Sequence, residues 1–80
     1  MKPTDKTIGE LLQEMAEPNS LISLGQYSDS SYYTVKKGTP YFCDTDHCVN
    51  GERFESRHNA PTLDEAIYNA WVAWCERKSN

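Results

Sequence analysis

The C-terminal segment Pro61–Lys78 carries the longest helical pattern in the chain and holds both tryptophans. Thr62 and Glu65 stand in the spacing of a capping box, in which each side chain bonds the other residue's backbone amide. Acidic side chains follow this cap and basic side chains close the segment, as the helix dipole favours. The apolar residues recur at helical spacing along one stripe: Leu63, Ala66, Ile67, Ala70, Trp71 and Trp74. The pattern therefore predicts a helix whose tryptophans face a core.

This helix is apolar over more than half of its circumference, because a second stripe flanks the first. Such a helix needs cover on two sides, which a sheet and a neighbouring helix can provide. Thr7 and Glu10 form another capping box, and apolar residues follow them at helical spacing. The sequence therefore predicts a short N-terminal helix over residues 8–17, ended by Pro18.

The middle of the chain has the composition of β-strands. Asn50-Gly51 is a strong signal for a type I′ hairpin, pairing residues near 47–49 with residues 52–56. Further strands are predicted at 31–36 and 40–43, with a strand or an extended link at 21–24, and residues 58–61 are expected to lead into the last helix. We expect one α+β domain over residues 1–80, with residues 1–6 loose. Its three- to four-stranded antiparallel sheet carries both helices on one face.

Composition narrows the classes of function. The 80 residues carry a net charge of −4 with no basic stripe, which argues against direct nucleic-acid binding. Three cysteines are an odd number, and residues 1–20 are polar without a long apolar run. We therefore expect a cytoplasmic protein without a disulfide framework, a signal peptide or a membrane span. The glycines are too scattered to form a phosphate-binding loop.

One cluster has residue types that bind metals or act as nucleophiles: Cys43, His47, Cys48 and His58. These four side chains are a possible zinc set, although the spacing of the cysteines is not that of a zinc knuckle. A Cys48–His58 dyad lacks a local oxyanion hole or orienting group. A calcium loop from Asp44 lacks its closing glutamate. We expect the cysteines to be small apolar residues and the aspartates to make turn hydrogen bonds, with no catalytic, cofactor or metal site.

The tyrosines offer a different kind of surface. A domain of this size cannot bury all nine of its aromatic side chains, so some tyrosines must be exposed. Exposed tyrosines beside mixed charges are typical of protein–protein interfaces. The predicted partner-binding residues are Tyr27, Asp29, Tyr32, Tyr33, Tyr41, Asp44 and Asp46.

The order of strands followed by Ala-Pro-Thr-Leu-Asp-Glu-Ala-Ile-Tyr-Asn-Ala at 60–70 resembles two families. The first comprises small phage proteins with an α-β-β-β-α sandwich, and this resemblance includes the N-terminal helix. The second comprises the HicB-type antitoxins, whose strands lead into a similar Leu-Asp-Glu-Ala helix. The phage resemblance implies an accessory protein with no catalytic residues, and small acidic phage proteins include anti-CRISPR inhibitors.

We accordingly expect a non-enzymatic phage or mobile-element protein that binds another protein, as an anti-CRISPR-like inhibitor of a host defence complex does. The alternatives are a HicB-like antitoxin that masks a partner toxin and a small zinc-stabilised binding module. A monomer and a homodimer are both compatible with the sequence.

Overall fold

A computed structural model describes residues 5–26 and 38–79. In chain order, its elements are α1 (Ile8–Met15), β1 (Leu21–Gln26), β2 (Tyr41–Val49), β3 (Glu52–Ala60) and α2 (Leu63–Ser79). The three strands form one antiparallel sheet in the order β1-β2-β3. The predicted α+β class, with both helices on one face of the sheet, is confirmed. The strand predicted at 31–36 lies outside the described residues.

Both predicted helix caps are present. The Thr7 hydroxyl accepts a hydrogen bond from the Glu10 amide at 3.2 Å, and the Glu10 carboxylate accepts one from the Thr7 amide at 2.7 Å. In α2, the Thr62 hydroxyl accepts from the Glu65 amide at 3.2 Å. Helix α1 ends at Met15, two residues before the predicted end. Pro18 accounts for the exclusion of Glu17 from the helix, because it disfavours helical conformation in the residue before it.

The predicted Asn50-Gly51 hairpin is confirmed. Both residues have positive φ, 53° for Asn50 and 83° for Gly51, as the two central positions of a type I′ turn require. From this turn the pairing of β2 with β3 continues without a bulge, from Val49↔Glu52 to Tyr41↔Ala60. The turn therefore sets the register of the whole nine-residue ladder.

Strands β2 and β3 extend beyond the predicted segments. The prediction of a turn around Asp44 and Asp46 was wrong, since both residues lie within β2. The segment from His58 to Ala60, predicted as a link, is the end of β3. Isolated acidic residues are unfavourable in strands. Here the acids face arginines of β3: Asp44 accepts from Arg57 at 2.6 and 2.7 Å, and Asp46 pairs with Arg53.

The core lies between the sheet and the helices. In the part of the chain that the structure describes, it comprises seven buried apolar residues: Leu11, Met15, Cys43, Ala60, Ala66, Ile67 and Ala70. Two alanines on α2 have short side chains, so the helix axis can approach the sheet and α1 closely. Within the described residues, no helix has the length and apolarity needed to cross a membrane.

Trp71 and Trp74 are half-buried at the border of this core, where they join α2 to α1. The indole Nε1 of Trp71 donates to Glu14 at 3.0 Å, and that of Trp74 donates to Glu17 at 3.2 Å. Lys78 also donates to Glu17, at 2.8 Å. The prediction that the tryptophans face the core holds, and their polar atoms add specific bonds to the segment around α1.

Trp71→Ala should destabilise the fold by about 3 kcal/mol, because it removes a large core-packing ring and leaves a cavity. Trp71→Phe keeps most of the ring but loses the bond to Glu14, so it should cost about 1 kcal/mol. Urea unfolding followed by far-ultraviolet circular dichroism measures both values. Unchanged stability in Trp71→Ala would show that this side chain is not part of the core.

Candidate protein-binding face

The continuous β2–β3 ladder assigns side chains alternately to the two faces of the sheet. Cys43, Thr45 and His47 are buried beneath the helices. The residues between them point to the opposite face, which we call the open face. No described helix packs against this face. Its strand residues are Leu21, Ser23 and Gly25 of β1, Phe42, Asp44, Asp46 and Cys48 of β2, and Arg53, Glu55, Arg57 and Asn59 of β3.

Charged side chains occupy the centre of the open face. Asp44 and Arg57 are direct cross-strand neighbours and form a bidentate pair. Arg53 pairs diagonally with Asp46 and also approaches Glu55 at 3.8 Å. Three carboxylates thus alternate with two guanidiniums, leaving a slight excess of negative charge. Exposed pairs of this kind stabilise a fold only slightly, but they hold their side chains in defined positions.

An aromatic ring borders this charged centre. Phe42 lies opposite Gly25, and a Cβ atom at position 25 would overlap the ring. The guanidinium of Arg57 stacks on the same ring, 4.3 Å from its centroid. Glycine at position 25 is therefore what allows Phe42 to lie along β1 and remain within reach of Arg57.

The structure brings together some of the predicted partner-binding residues and separates others. Asp44 and Asp46 lie side by side on the open face. Tyr41 is half-buried at the start of β2 and belongs, by the alternation of the strand, to the face that carries the helices. The remaining predicted residues, which are Tyr27, Asp29, Tyr32 and Tyr33, lie outside the described residues.

Sequence reasoning missed other members of the open face. Leu21 is 68% exposed and lies opposite Asp46. Sequence reasoning assigned no binding role to Arg53 or Arg57. The Asn50-Gly51 turn could have located them. Counting residue pairs away from this turn places Arg57 opposite Asp44.

Two shallow depressions lie along the open face and its border, with volumes of about 450 and 540 Å³. Leu21 and Asp46 contribute to both, Arg57 and Asp44 line the first, and Arg53 lines the second. Small-molecule sites are concave and bury most of their ligand. Shallow, mixed-charge surfaces of this kind are better matched to the side chains of another protein.

The candidate zinc residues do not converge. Cys43, His47 and His58 point toward the helices, with Cys43 directly opposite His58, whereas Cys48 points to the open face. The Cys48–His58 dyad is separated in the same way. Within residues 5–26 and 38–79, no three His, Cys, Asp or Glu side chains group as metal ligands. Burial raises the pKa of the Cys43 thiol to about 11, so this thiol is neutral at physiological pH.

Polar side chains lie between the sheet and α2. His47 is 4% exposed, its Nδ1 is 3.0 Å from the Ser20 hydroxyl, and its Nε2 has no partner among the described residues. A cavity of about 80 Å³ adjoins it. Nearby, the Ser56 hydroxyl oxygen is 2.8 Å from the Thr45 hydroxyl oxygen and 2.9 Å from His58 Nε2. Burial lowers the pKa of both histidines, so neutral imidazoles belong to the folded state.

Comparison with protein-family models finds no match for this chain, and the comparisons with curated proteins and with solved structures also find none. The resemblances to small phage proteins and to HicB-type antitoxins therefore stay predictions.

Stability should fall with pH over the range below about 6.5, because the unfolded histidines titrate near 6.5 and the folded ones at lower pH. For His47, burial outweighs the opposing effects of Glu17 and Asp46, and Lys78 acts in the same direction as burial. Urea unfolding across this range measures the slope of the free energy of unfolding against pH.

The double variant His47→Gln, His58→Gln is the control and should flatten this slope. Glu14 and Glu17, whose pKa values are lowered from 4.5 by their hydrogen bonds to Lys6 and Lys78, lose their contribution only at lower pH. An unchanged slope in the double variant would assign the acid sensitivity to other groups.

Proposed function

We propose that this chain is a non-enzymatic phage or mobile-element protein that binds another protein through the open face of its sheet. The function that we propose is inhibition of a host defence complex in the bacterial cytoplasm, in the manner of an anti-CRISPR. The observation that carries the binding step is the open face itself, a side of the sheet with ordered charges, an exposed leucine and no described helix packed on it.

The construction of the open face supports recognition by side chains. Asp44 and Arg57 hold each other in a bidentate pair, and Arg57 is further held against Phe42. Side chains that are already ordered lose less conformational entropy when a partner binds. Leu21 adds an exposed apolar contact beside them. The face therefore combines an apolar element with preorganised polar groups, which is the composition of many protein interfaces.

The charge of the chain favours a basic partner surface. Its net charge is −4, and carboxylates outnumber guanidiniums on the open face. Electrostatic complementarity speeds encounter and excludes partners of like charge. A basic channel that normally holds nucleic acid, as in a defence nuclease, is a surface of suitable sign. This chain would then block the channel sterically without contacting nucleic acid.

The arrangement of reactive side chains supports a binding role. The exposed thiol of Cys48 and the imidazole of His58 are on opposite faces, so no nucleophile–base pair forms between them. The buried thiol of Cys43 is held neutral by its surroundings. The proposal therefore assigns no catalytic residue, cofactor or metal to this chain.

The double variant Asp44→Asn, Asp46→Asn should weaken binding to the defence complex by at least about tenfold, because two acids lose their contacts to a basic surface. The measurement has two parts. Plaquing of phage on cells that carry a defence system and express this chain reports inhibition. Copurification with the defence complex, followed by titration of the purified components, reports affinity.

A matched control removes the same charge elsewhere. Asp64→Asn with Glu76→Gln neutralises two exposed acids on α2 and should leave plaquing and affinity unchanged. Equal losses in both double variants would mean that only net charge matters. Recovery of a small toxin with relief of its toxicity, and no effect on phage plaquing, would overturn the inhibitor proposal in favour of a HicB-like antitoxin.

A further inference from the structure

Strand β3 is an edge of the sheet that the described residues form. It is nine residues long, contains no proline, and pairs with β2 without a bulge. Among the described residues, no strand lies beyond it. An edge strand presents backbone N–H and C=O groups that another strand can pair with, and natural proteins commonly prevent this with short strands, prolines or bulges. None of these three devices is present in β3.

The hairpin turn defines which backbone groups face outward. A two-residue turn is closed by a hydrogen-bonded pair, here Val49 with Glu52, and such pairs recur at every second position of an antiparallel ladder. Glu52, Phe54, Ser56, His58 and Ala60 therefore direct their backbone groups to β2. The intervening residues direct theirs to the outer edge, and these residues are Arg53, Glu55, Arg57 and Asn59.

The charges of these outward residues favour the one antiparallel pairing in which all nine residues of β3 take part. We propose that β3 pairs with β3 of a second copy of this chain, antiparallel and centred on Ser56, to make one continuous six-stranded sheet. In this register Glu55 lies opposite Arg57 of the second copy, and Arg57 lies opposite its Glu55. All four residues have outward-facing backbone groups, so the charge pairs coincide with the hydrogen-bonded positions of the new ladder.

Neighbouring registers are unfavourable. A shift by two residues toward the turn places Glu55 opposite Glu55 and Arg53 opposite Arg57. A shift by two residues the other way places Arg57 opposite Arg57. Like charges directly opposite each other destabilise a strand pair. Charges on an edge strand often serve to repel other strands, but on β3 their alternation makes the strand complementary to itself.

The isolated chain leaves Glu55 in an unfavourable position. It is directly opposite Asp46, a residue of like charge, and Arg53 is 3.8 Å away but also pairs with Asp46. Arg57 of the second copy, which also pairs with Asp44 of its own chain, would place a further guanidinium opposite Glu55. On the other face of the sheet, Ser56 would meet Ser56 and Phe54 would meet His58, so no like charges oppose each other there.

Sedimentation velocity over micromolar to near-millimolar concentrations tests this proposal with the full chain. The wild type should sediment as a dimer, at twice the 9.2 kDa of one chain, at the upper end of this range. Glu55→Arg places arginine opposite Arg57, and Arg57→Glu places glutamate opposite Glu55. Each variant alone should weaken the dimer by at least about tenfold.

The decisive experiment mixes the two variants. In a heterodimer of Glu55→Arg with Arg57→Glu, every opposed pair regains opposite charges, so the mixture should dimerise although neither variant does alone. Glu76→Arg is the control, because it makes the same charge change on an exposed part of α2 and should leave the dimer intact. Circular dichroism verifies that each variant is folded.

Three results would overturn the proposal. They are a wild type that stays monomeric over the whole concentration range, a mixture of folded variants that stays monomeric, and an equal weakening of the dimer by Glu76→Arg. Glu55 and Arg57 also belong to the open face, but the dimer requires no other protein, so sedimentation tests it separately from the partner-binding function.

Discussion

The register of the β2–β3 ladder is the constraint on which the rest of this structure depends. Asn50 and Gly51 supply the two positive φ angles of the turn, and nine residue pairs follow without interruption. A slip of one residue would exchange the two faces of the strand. Cys43 and His47 would then point to solvent, and Asp44 and Asp46 would be buried beneath α2. The core and the open face are thus two results of one turn.

The side of the sheet that carries the helices contributes polar side chains to the interior. Thr45 and His47 are buried there, with Ser56 and His58 hydrogen-bonded beside them. Apolar burial must then come largely from α1 and α2, whose Leu11, Met15 and Ile67 are nearly inaccessible to solvent. Buried polar groups are tolerated when they are hydrogen-bonded, and they favour one arrangement of neighbours over others. Packing of the helices is therefore essential to the fold.

Local signals in the sequence were sufficient for the helices, the hairpin and the fold class. Thr7, Thr62 and Asn50-Gly51 each act over three residues or fewer, so a pattern search finds them. The extent of β2 depended on pairing between Asp44 and Arg57, which are 13 residues apart, and residue propensity alone argued against a strand there. Of the predicted site residues, Asp44 and Asp46 lie together on the open face, whereas Tyr41 belongs to the other face of the sheet. Its direction follows from register, which composition does not reveal.

The two tryptophan–carboxylate bonds have a spectroscopic consequence. Both tryptophans of the chain are on α2, and each indole N–H bonds to a glutamate in or just after α1. The emission of an indole responds to its hydrogen bonds and to its exposure to water. Intrinsic tryptophan fluorescence of this protein should therefore follow the docking of α1 on α2 most directly. Backbone circular dichroism reports the helices and the strands together, so a change in fluorescence that precedes most of the loss of this signal would reveal α1 detaching while the strands remain paired.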